Sequence, residues 1–344
     1  MYAERILRLP AELRQRAELL ASRGLSVPGS GGPGSVLGLF EDLPSGEERL
    51  VATGALMGRV IQGVAVREEL DGQGLTSTLL GFLIQRAADA GIWHLFLFTR
   101  PRGASRFTAL GFRPVAETES AVLLEWGKPG IEEFLNGLKR ETEHVCGSGG
   151  CVVVNCNPFT LGHRYLIETA AKKSGRLCVV VVGEDRSEFP FDVRFQLVRD
   201  GVADLDNVVV LSGGDYVVSS ATFPSYFTKE EEFASVHATL DLTIFAERIA
   251  PALSATRRFV GTEPFSPVTN VYNETMKRLL PQYGIAVEEM DRLRIDGAPV
   301  SASRVRALLR QGNIEGVRNL VPSTTWRWLA SSVAAPVLER LRTV

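Results

Sequence analysis

The amino-acid sequence points to an α/β protein of two domains, a mixed α/β domain followed by one built on a parallel sheet, for three reasons. Its 344 residues exceed one ordinary domain. From Gly150 onward, short β-branched apolar runs alternate with segments of helical periodicity, the rhythm of strands covered on both faces by crossover helices. Before Trp126 the strands instead follow one another with turn residues between them, as in an antiparallel meander. The domains are placed at residues 1–126 and 150–344, with a linker at 127–149.

In the first domain, MYAERILRLPAELRQRAELL reads as a charged amphipathic helix. Leu25 to Ser35, LSVPGSGGPGS, is a surface connector without the Lys-Ser or Lys-Thr pair of a phosphate loop. Strands are expected at VLGLF, LVATGAL and VIQGVAV, with Pro44, Ser45 and Gly46 turning the first hairpin. A helix over Thr76–Ala90 carries Leu79, Leu80, Phe82, Leu83 and Ile84, and is followed by the strand WHLFLFT, a short helix ending in LGF and a last strand AVLLEW. GKPGIEEFLNGLKRETEHVCGSGG supplies a Pro-Gly break, one charged helix and a Gly-Ser-Gly-Gly hinge.

In the second domain, CVVVN leads to a helix over Gly162–Lys173, LCVVVVG to one near Asp192–Val202 and VVVLS to a polar stretch. RRFVG leads to a helix near Val268–Leu280, and IAVEEM to one starting near Ala302.

With 38 basic and 40 acidic residues the net charge is -2, so no global field draws the protein to nucleic acid or an anionic membrane. Any anion binding must be local. No apolar run has the length of a membrane span and the N-terminus lacks a signal peptide's apolar core, so a cytoplasmic location is expected. Cys146, Cys151, Cys156 and Cys178 read as reduced thiols. A zinc site from His144, Cys146, Cys151 and Cys156 is disfavoured, because the last two cysteines bracket a strand and stand roughly 17 Å apart, while zinc ligands lie within about 2.3 Å of the metal.

The chemistry concentrates where CVVVN gives way to a helix, in NCNPFTLGHRYLIETA, residues 155–170. A helix start at the carboxyl end of a parallel strand offers unpaired N–H groups and a partial positive charge to an anion. Asn155 to His163 lies at such an end, with Gly162 expected to let the backbone approach a phosphate and His163 to place an imidazole there. In VSASRVRALL, Ser301 is a candidate N-cap, Ser303 lies in the first turn and Arg306 one turn on. Hydroxyls, amides and a guanidinium fork suit phosphate oxygens; the plainer alternative is a capped helix with a surface arginine. Gly261, Thr262 and Glu263 close RRFVG and should line the same crevice, facing adenine or ribose, while Phe265 and Tyr272 read as packing residues.

FTLGH followed far downstream by SASRVR resembles the paired ATP-holding motifs of the nucleotidyltransferase superfamily, which usually has His where this chain has Thr160. More narrowly, NCNPFTLGHRYLIE, RFVGTEPFSPVTNVYNETM, SASRVRALL, SATFPSYFTK at 220–229 and LDLTIF at 240–245 are similar to the citrate lyase ligase family over nearly the whole chain. The resemblance implies an ATP site of Asn155, Phe159, Thr160, Gly162, His163, Gly261, Thr262, Glu263, Ser301, Ser303 and Arg306, with His163, Thr160 and Arg306 catalytic. Thr160 either contacts a phosphate oxygen or caps the helix. It also implies an acid–thiol ligase: acetate, ATP and the prosthetic-group thiol of the citrate lyase acyl carrier subunit would give the acetyl thioester, AMP and diphosphate through an acetyl-adenylate. Mg2+ should bridge the phosphates; its ligands are unassigned, Glu263 and Asp215 being carboxylates that merely follow strands.

In the first domain, VAVREELDGQGLTSTLLGFLI and RFTALGF resemble the GCN-five-related acetyltransferases over residues 35–126. The implied fold is thus an acetyltransferase-like mixed α/β domain before a Rossmann-like nucleotidyltransferase domain with a parallel sheet. Val66, Gly72, Gln73, Gly74, Leu75 and Thr76 would hold a CoA-type arm. Asp71 stands where that family usually has Arg or Gln, and Phe107 where it often has a tyrosine acid; a phenyl ring gives a thiolate no proton. An arm-binding domain is expected rather than an acetyltransferase. The alternatives are a coenzyme adenylyltransferase and a non-catalytic nucleotide- or CoA-sensing protein.

Overall fold

The computed structural model describes residues 2–27, 34–145, 147, 149–183, 187–217, 230–263 and 267–343. Cys146, Phe265, the segment SATFPSYFTK and residues 28–33 of the Gly/Pro/Ser connector lie outside them. The chain divides into two compact units, one over Met1–Ile131 and Phe223–Val236, the other over Glu132–Thr222 and His237–Val344.

The first unit runs β1 (Ala3–Ile6), α1 (Pro10–Ser22), β2 (Gly34–Asp42), β3 (Glu48–Met57), β4 (Val60–Val66), α2 (Leu75–Asp89), β5 (His94–Thr99), α3 (Pro101–Thr108), β6 (Arg113–Glu117) and β7 (Val122–Gly127). Among the described residues these strands make one sheet in the order β1-β2-β3-β4-β5-β7-β6. The β2–β3–β4 meander is antiparallel, as its turn chemistry requires: Leu43 N–H reaches Glu47 O at 2.8 Å around the Pro-Ser-Gly turn. Leu75, Leu79, Leu80, Leu83 and Ala87 recur at helical spacing on α2 and are buried against this sheet.

β4 and β5 are the parallel neighbours. Their ladder holds only Val60 opposite Phe96 and Ile61 opposite Leu97, so the strands part toward their carboxyl ends. The first residues are a strand, not the start of a helix: β1 pairs with β2, and Arg5 sits 4.1 Å over the Phe40 ring and pairs with Glu48. Charges on an outermost strand are how a sheet edge avoids pairing with another chain, and they disguised β1 as helix.

The second unit begins with α4 (Ile131–Thr142), followed by β8 (Gly149–Val154), α5 (Leu161–Lys172), β9 (Arg176–Val181), α6 (Phe191–Gly201) and β10 (Val208–Ser212). Then come α7 (Glu230–Ile244), a π-helical turn (Phe245–Ile249), α8 (Ala250–Leu253), β11 (Ala255–Gly261), α9 (Pro267–Leu279) and β12 (Ala286–Met290). β13 (Arg294–Ile295), β14 (Ala298–Pro299), α10 (Ala302–Arg310), α11 (Ser323–Leu329) and α12 (Ala335–Thr343) complete it. Among the described residues the main sheet has the order β10-β9-β8-β11-β12 and is parallel throughout.

The chain works outward from β8 and then returns to β11 on its other side, so the winding reverses between these two strands. Their carboxyl ends flank a crevice. Val152, Val154, Val179, Val181 and Phe259 form the core with Ile167 and Ala170 of α5 and Leu197 and Val198 of α6. A second cluster, including Val300, Val305, Leu309 and Leu329, holds α10 in place. Among the described residues no helix is long and apolar enough to cross a membrane.

The expected Gly-Ser-Gly-Gly hinge is corrected at Gly149 and Gly150, which open β8 and pair with β9. A Cβ on Gly149 would stand 2.3 Å from Ser254 O, and one on Gly150 2.2 Å from Ser174 Oγ. Gly149 admits a neighbouring backbone, and Gly150 the side chains of Ser174 and Phe259. Gly149→Ala should cost about 1–3 kcal/mol through overpacking, whereas Gly137→Ala, in the middle of α4 with nothing near its missing Cβ, should gain up to about 1 kcal/mol. Urea unfolding of the two variants measures both shifts.

Candidate active site

At the carboxyl end of β8 the chain is held by a buried arginine. Arg194 of α6, 0% exposed, donates to Asn155 O at 2.8 Å, Asn155 Oδ1 at 2.9 Å, Val182 O at 2.8 Å and Phe189 O at 2.9 Å. One rigid planar fork therefore fixes the ends of β8 and β9 together. Asn155 is itself exposed, with its side chain engaged by Arg194 and Ser187.

Thr160 is the N-cap of α5. Its Oγ1 accepts from His163 N–H at 3.4 Å, while its own N–H donates to His163 Nδ1 at 3.1 Å: a capping box in which histidine takes the place of the usual Glu or Gln. With Nδ1 committed as acceptor, the neutral ring carries its proton on Nε2. The ring is half-buried and stacks on Phe159, centroids 6.1 Å apart and planes 13° from parallel. Burial, then the charges of Arg292 and Arg306, lower its pKa from 6.5 to about 4. His163 at neutral pH is thus an uncharged N–H donor at a helix start, beside two guanidinium groups.

Three of the residues expected to hold ATP are engaged within the chain. Thr160 is 1% exposed and its hydroxyl is engaged with His163, the helix-capping role that the sequence left open beside a phosphate contact. Phe159 is fully buried, packed where a Cβ on Gly201 would stand 2.3 Å from its ring, and stacks on His163. Gly162 makes room for protein, since its Cβ would lie 2.7 Å from Val300 O.

That contact joins the two motifs. α5 begins against the residue preceding α10, and Leu161 N–H donates to Leu320 O at 2.9 Å. Ser301 caps α10, accepting from Arg304 N–H at 3.2 Å, and Ser303 is exposed on its first turn. Arg306 reaches back to Asn157 O at 2.6 Å and lies 3.2 Å from Glu188, which also pairs with Arg310 at 2.9 Å. Burial would raise the Glu188 pKa, but its own backbone amide, Asn157 and the two arginines hold it below the usual carboxylate range.

On the far side of the crevice, Gly261 O accepts from Asn273 at 3.2 Å and Thr262 N–H donates to Met290 O at 2.9 Å. Arg292, just past β12, donates to Thr262 O at 2.5 Å and pairs with Glu263 at 2.5 Å. These expected adenine or ribose contacts thus have much of their polar surface engaged within the chain. Tyr272 is a packing residue as expected, donating to Asp241 at 2.5 Å, and burial raises its pKa. Among the described residues no group of three or more His, Cys, Asp or Glu side chains could hold a metal ion. Asp215 is exposed and Glu263 is tied to Arg292, so the residues present do not build a resident magnesium cage. Cys151, Cys156 and Cys178 are buried free thiols, and burial raises the Cys151 pKa to about 12.

The sequence reading missed Arg194, Asn157, Glu188 and Arg292. Arg194 had a usable signal, a charge inside the apolar run FDVRFQLV. The other three are loop residues whose convergence depends on the strand order.

In the first unit, a cavity of about 470 Å³ lies where β4 and β5 part. Val66 and Thr76 line it; Leu75 is buried in the core, and Gly72, Gln73 and Gly74 are exposed and not among its lining residues. The turn glycines, with φ of 83° and 81°, shape the entry to α2 beside this cavity.

A parallel sheet whose order reverses between β8 and β11, with an imidazole donor at the start of α5 there, is a doubly wound α/β protein with a crevice suited to an anion. The model of the citrate lyase ligase C-terminal domain matches residues 149–329. The chain is 43% identical over 291 residues to the [citrate [pro-3S]-lyase] ligase of Klebsiella pneumoniae, covering 82% of this chain and 84% of that protein. It is 39% identical over 290 residues to the protein of the same name from Escherichia coli, covering 82% of each. Among solved structures, an N-acyl amino acid synthase from uncultured soil microbes is similar to 38% of this chain and 92% of its own, with 17% identity and a TM-score of 0.31. The chain belongs to the citrate lyase ligase family.

The histidine geometry is open to measurement. In 15N NMR spectra of the protein alone, His163 should show the Nε2–H tautomer and titrate near pH 4; a pKa at or above 6.5 or an Nδ1–H tautomer contradicts the capping box. The unfolded chain binds this proton at higher pH than the folded one, so stability falls as pH drops from 6.5 to about 4, and His163→Gln should flatten that part of the curve.

Proposed function

We propose that the protein is the ATP-dependent ligase that acetylates the prosthetic-group thiol of the citrate lyase acyl carrier subunit. An acetate oxygen attacks the α-phosphorus of ATP, the bond to the bridging oxygen of the β-phosphate breaks, and diphosphate leaves with that electron pair. The carrier thiolate then attacks the acetyl carbon and AMP departs; the thiol proton is released. The reading is supported by family membership and by relatives named as ligases of citrate lyase.

The observation that carries the chemistry is His163, held by Thr160 so that Nε2–H is the group left to donate. Acetate is a poor acyl donor, and the α-phosphate must gain negative charge as it is displaced. A fixed neutral donor needs no reorganisation to meet that charge. The charges of Arg292 and Arg306 both act on the same imidazole, and the start of α10 with Ser301 and Ser303 suits the departing phosphates. Magnesium would enter with ATP, neutralising phosphate charge, since no cage for it is found among the described residues. The cavity of the first unit would take the arm that carries the thiol, and Phe107 in its wall rules out a tyrosine acid at that position.

Incubated with ATP, magnesium and acetate, the carrier should gain one acetyl group by mass spectrometry. His163→Ala should slow this by about 100 to 1,000-fold, the loss typical of one such donor. AMP attached to a phosphorylated small molecule, without acetate dependence, would point to the adenylyltransferase instead.

A further inference from the structure

Buried polar side chains gather on one face of β11 and take no part in the chemistry above. Phe259 joins the core under α5 and α6, so the alternation of the strand turns Arg258 to the opposite face, toward α7 and α9. His237, Asp241 and Phe245 recur every fourth residue along α7 and the π-helical turn that follows it, which sets them in one stripe. Asp241 accepts from Tyr272 of α9 at 2.5 Å, the Tyr272 hydroxyl accepts in turn from Arg258, and the His237 and Tyr272 rings lie 6.3 Å apart. Phe245 ends the stripe, with the Arg258 guanidinium 4.2 Å over its ring. The π-helical turn starts at this residue, an irregularity found frequently at functional sites.

Arg258 is 3% exposed, yet its Nη1 has no hydrogen-bond partner among the described residues. Cys151, its neighbour across the β8–β11 ladder, brings no charge, because burial raises its thiol pKa to about 12. A buried charged donor without a partner is costly, so an anion arriving at Nη1 recovers what folding gave up. Asn273, next to Tyr272, donates to Gly261 O at 3.2 Å, so the group extends to the crevice end of β11.

We propose that Arg258 binds the carboxylate of the acid substrate, with Nη1 holding one oxygen, and that Tyr272 and Asp241 position its guanidinium. The inference rests on the ligase reading and names the side chain that would hold acetate. A single free Nη1 takes one carboxylate oxygen and leaves the other to attack the α-phosphorus. Arginine suits the place because it stays charged when buried and its plane fixes the direction of its N–H bonds. His237, Asp241 and Phe245 are all at most 5% exposed, so a long acyl chain would have to displace them.

The test is exchange of diphosphate into ATP at varied acetate and, separately, at varied ATP. Arg258→Gln should raise the KM for acetate about tenfold or more, the scale of one hydrogen bond to a charged group, and change the KM for ATP by less than about twofold. Arg258→Lys, which keeps the charge without the fork, should fall between the two. Tyr272→Phe should raise the acetate KM severalfold and keep kcat at saturating acetate, a split that a loosened fold would not give. A structure of the unsubstituted protein with acetate and a non-hydrolysable ATP analogue decides the matter where a variant does not fold: a carboxylate oxygen should lie about 2.7–2.9 Å from Arg258 Nη1. An acetate KM unchanged by Arg258→Gln, equal rises for acetate and ATP, or acetate seated away from Arg258 would each overturn the proposal. Exchange that does not depend on acetate in the unsubstituted protein would defeat the ligase reading, and this inference with it.

Discussion

The hydrogen bond from Thr160 N–H to His163 Nδ1 is the contact on which the crevice depends. It is a helix-capping interaction first, satisfying a backbone donor that α5 would otherwise leave unpaired. By using Nδ1 it also decides which ring nitrogen keeps the proton. The stack on Phe159 fixes the ring plane, and Phe159 is in turn fixed by the close approach of Gly201. A core packing decision at α6 is thereby transmitted, through one phenyl ring, to the direction of one N–H bond.

Arginines do the remaining assembly, and each works against a different part of the fold. Arg194 ties the ends of β8 and β9 through carbonyl oxygens. Arg306 draws α10 onto the loop after β8, and Arg292 braces the end of β11. Glu188 and Glu263 serve as their counter-ions, so the cations of the crevice are oriented in the folded chain. On the proposed reading a polyphosphate would meet donors already in position, which is where such a site gains most over water.

Much of the architecture could be read from the sequence because it rests on periodicity. The β-branched runs CVVVN and LCVVVV leave few options but buried strands, and α2 declares its apolar face. His163 and Ser301 were legible because capping positions carry local signatures. A motif gives residue type but not the direction each side chain faces: the sequence did not show that Phe159 and Thr160 are buried or that Gly162 lies against Val300 O. Arg292 and Glu188 were invisible for the opposite reason. A lone charge in a loop looks solvated until the strand order brings its partner beside it.

The most direct measurement is a structure of the protein with a non-hydrolysable acetyl-adenylate analogue. A phosphoryl-position oxygen of the analogue should lie about 2.7–3.1 Å from His163 Nε2, between Arg292 and Arg306 in the crevice beside β8 and β11. An analogue seated elsewhere, or in the crevice with His163 Nε2 turned away from it, would contradict the role given to the imidazole.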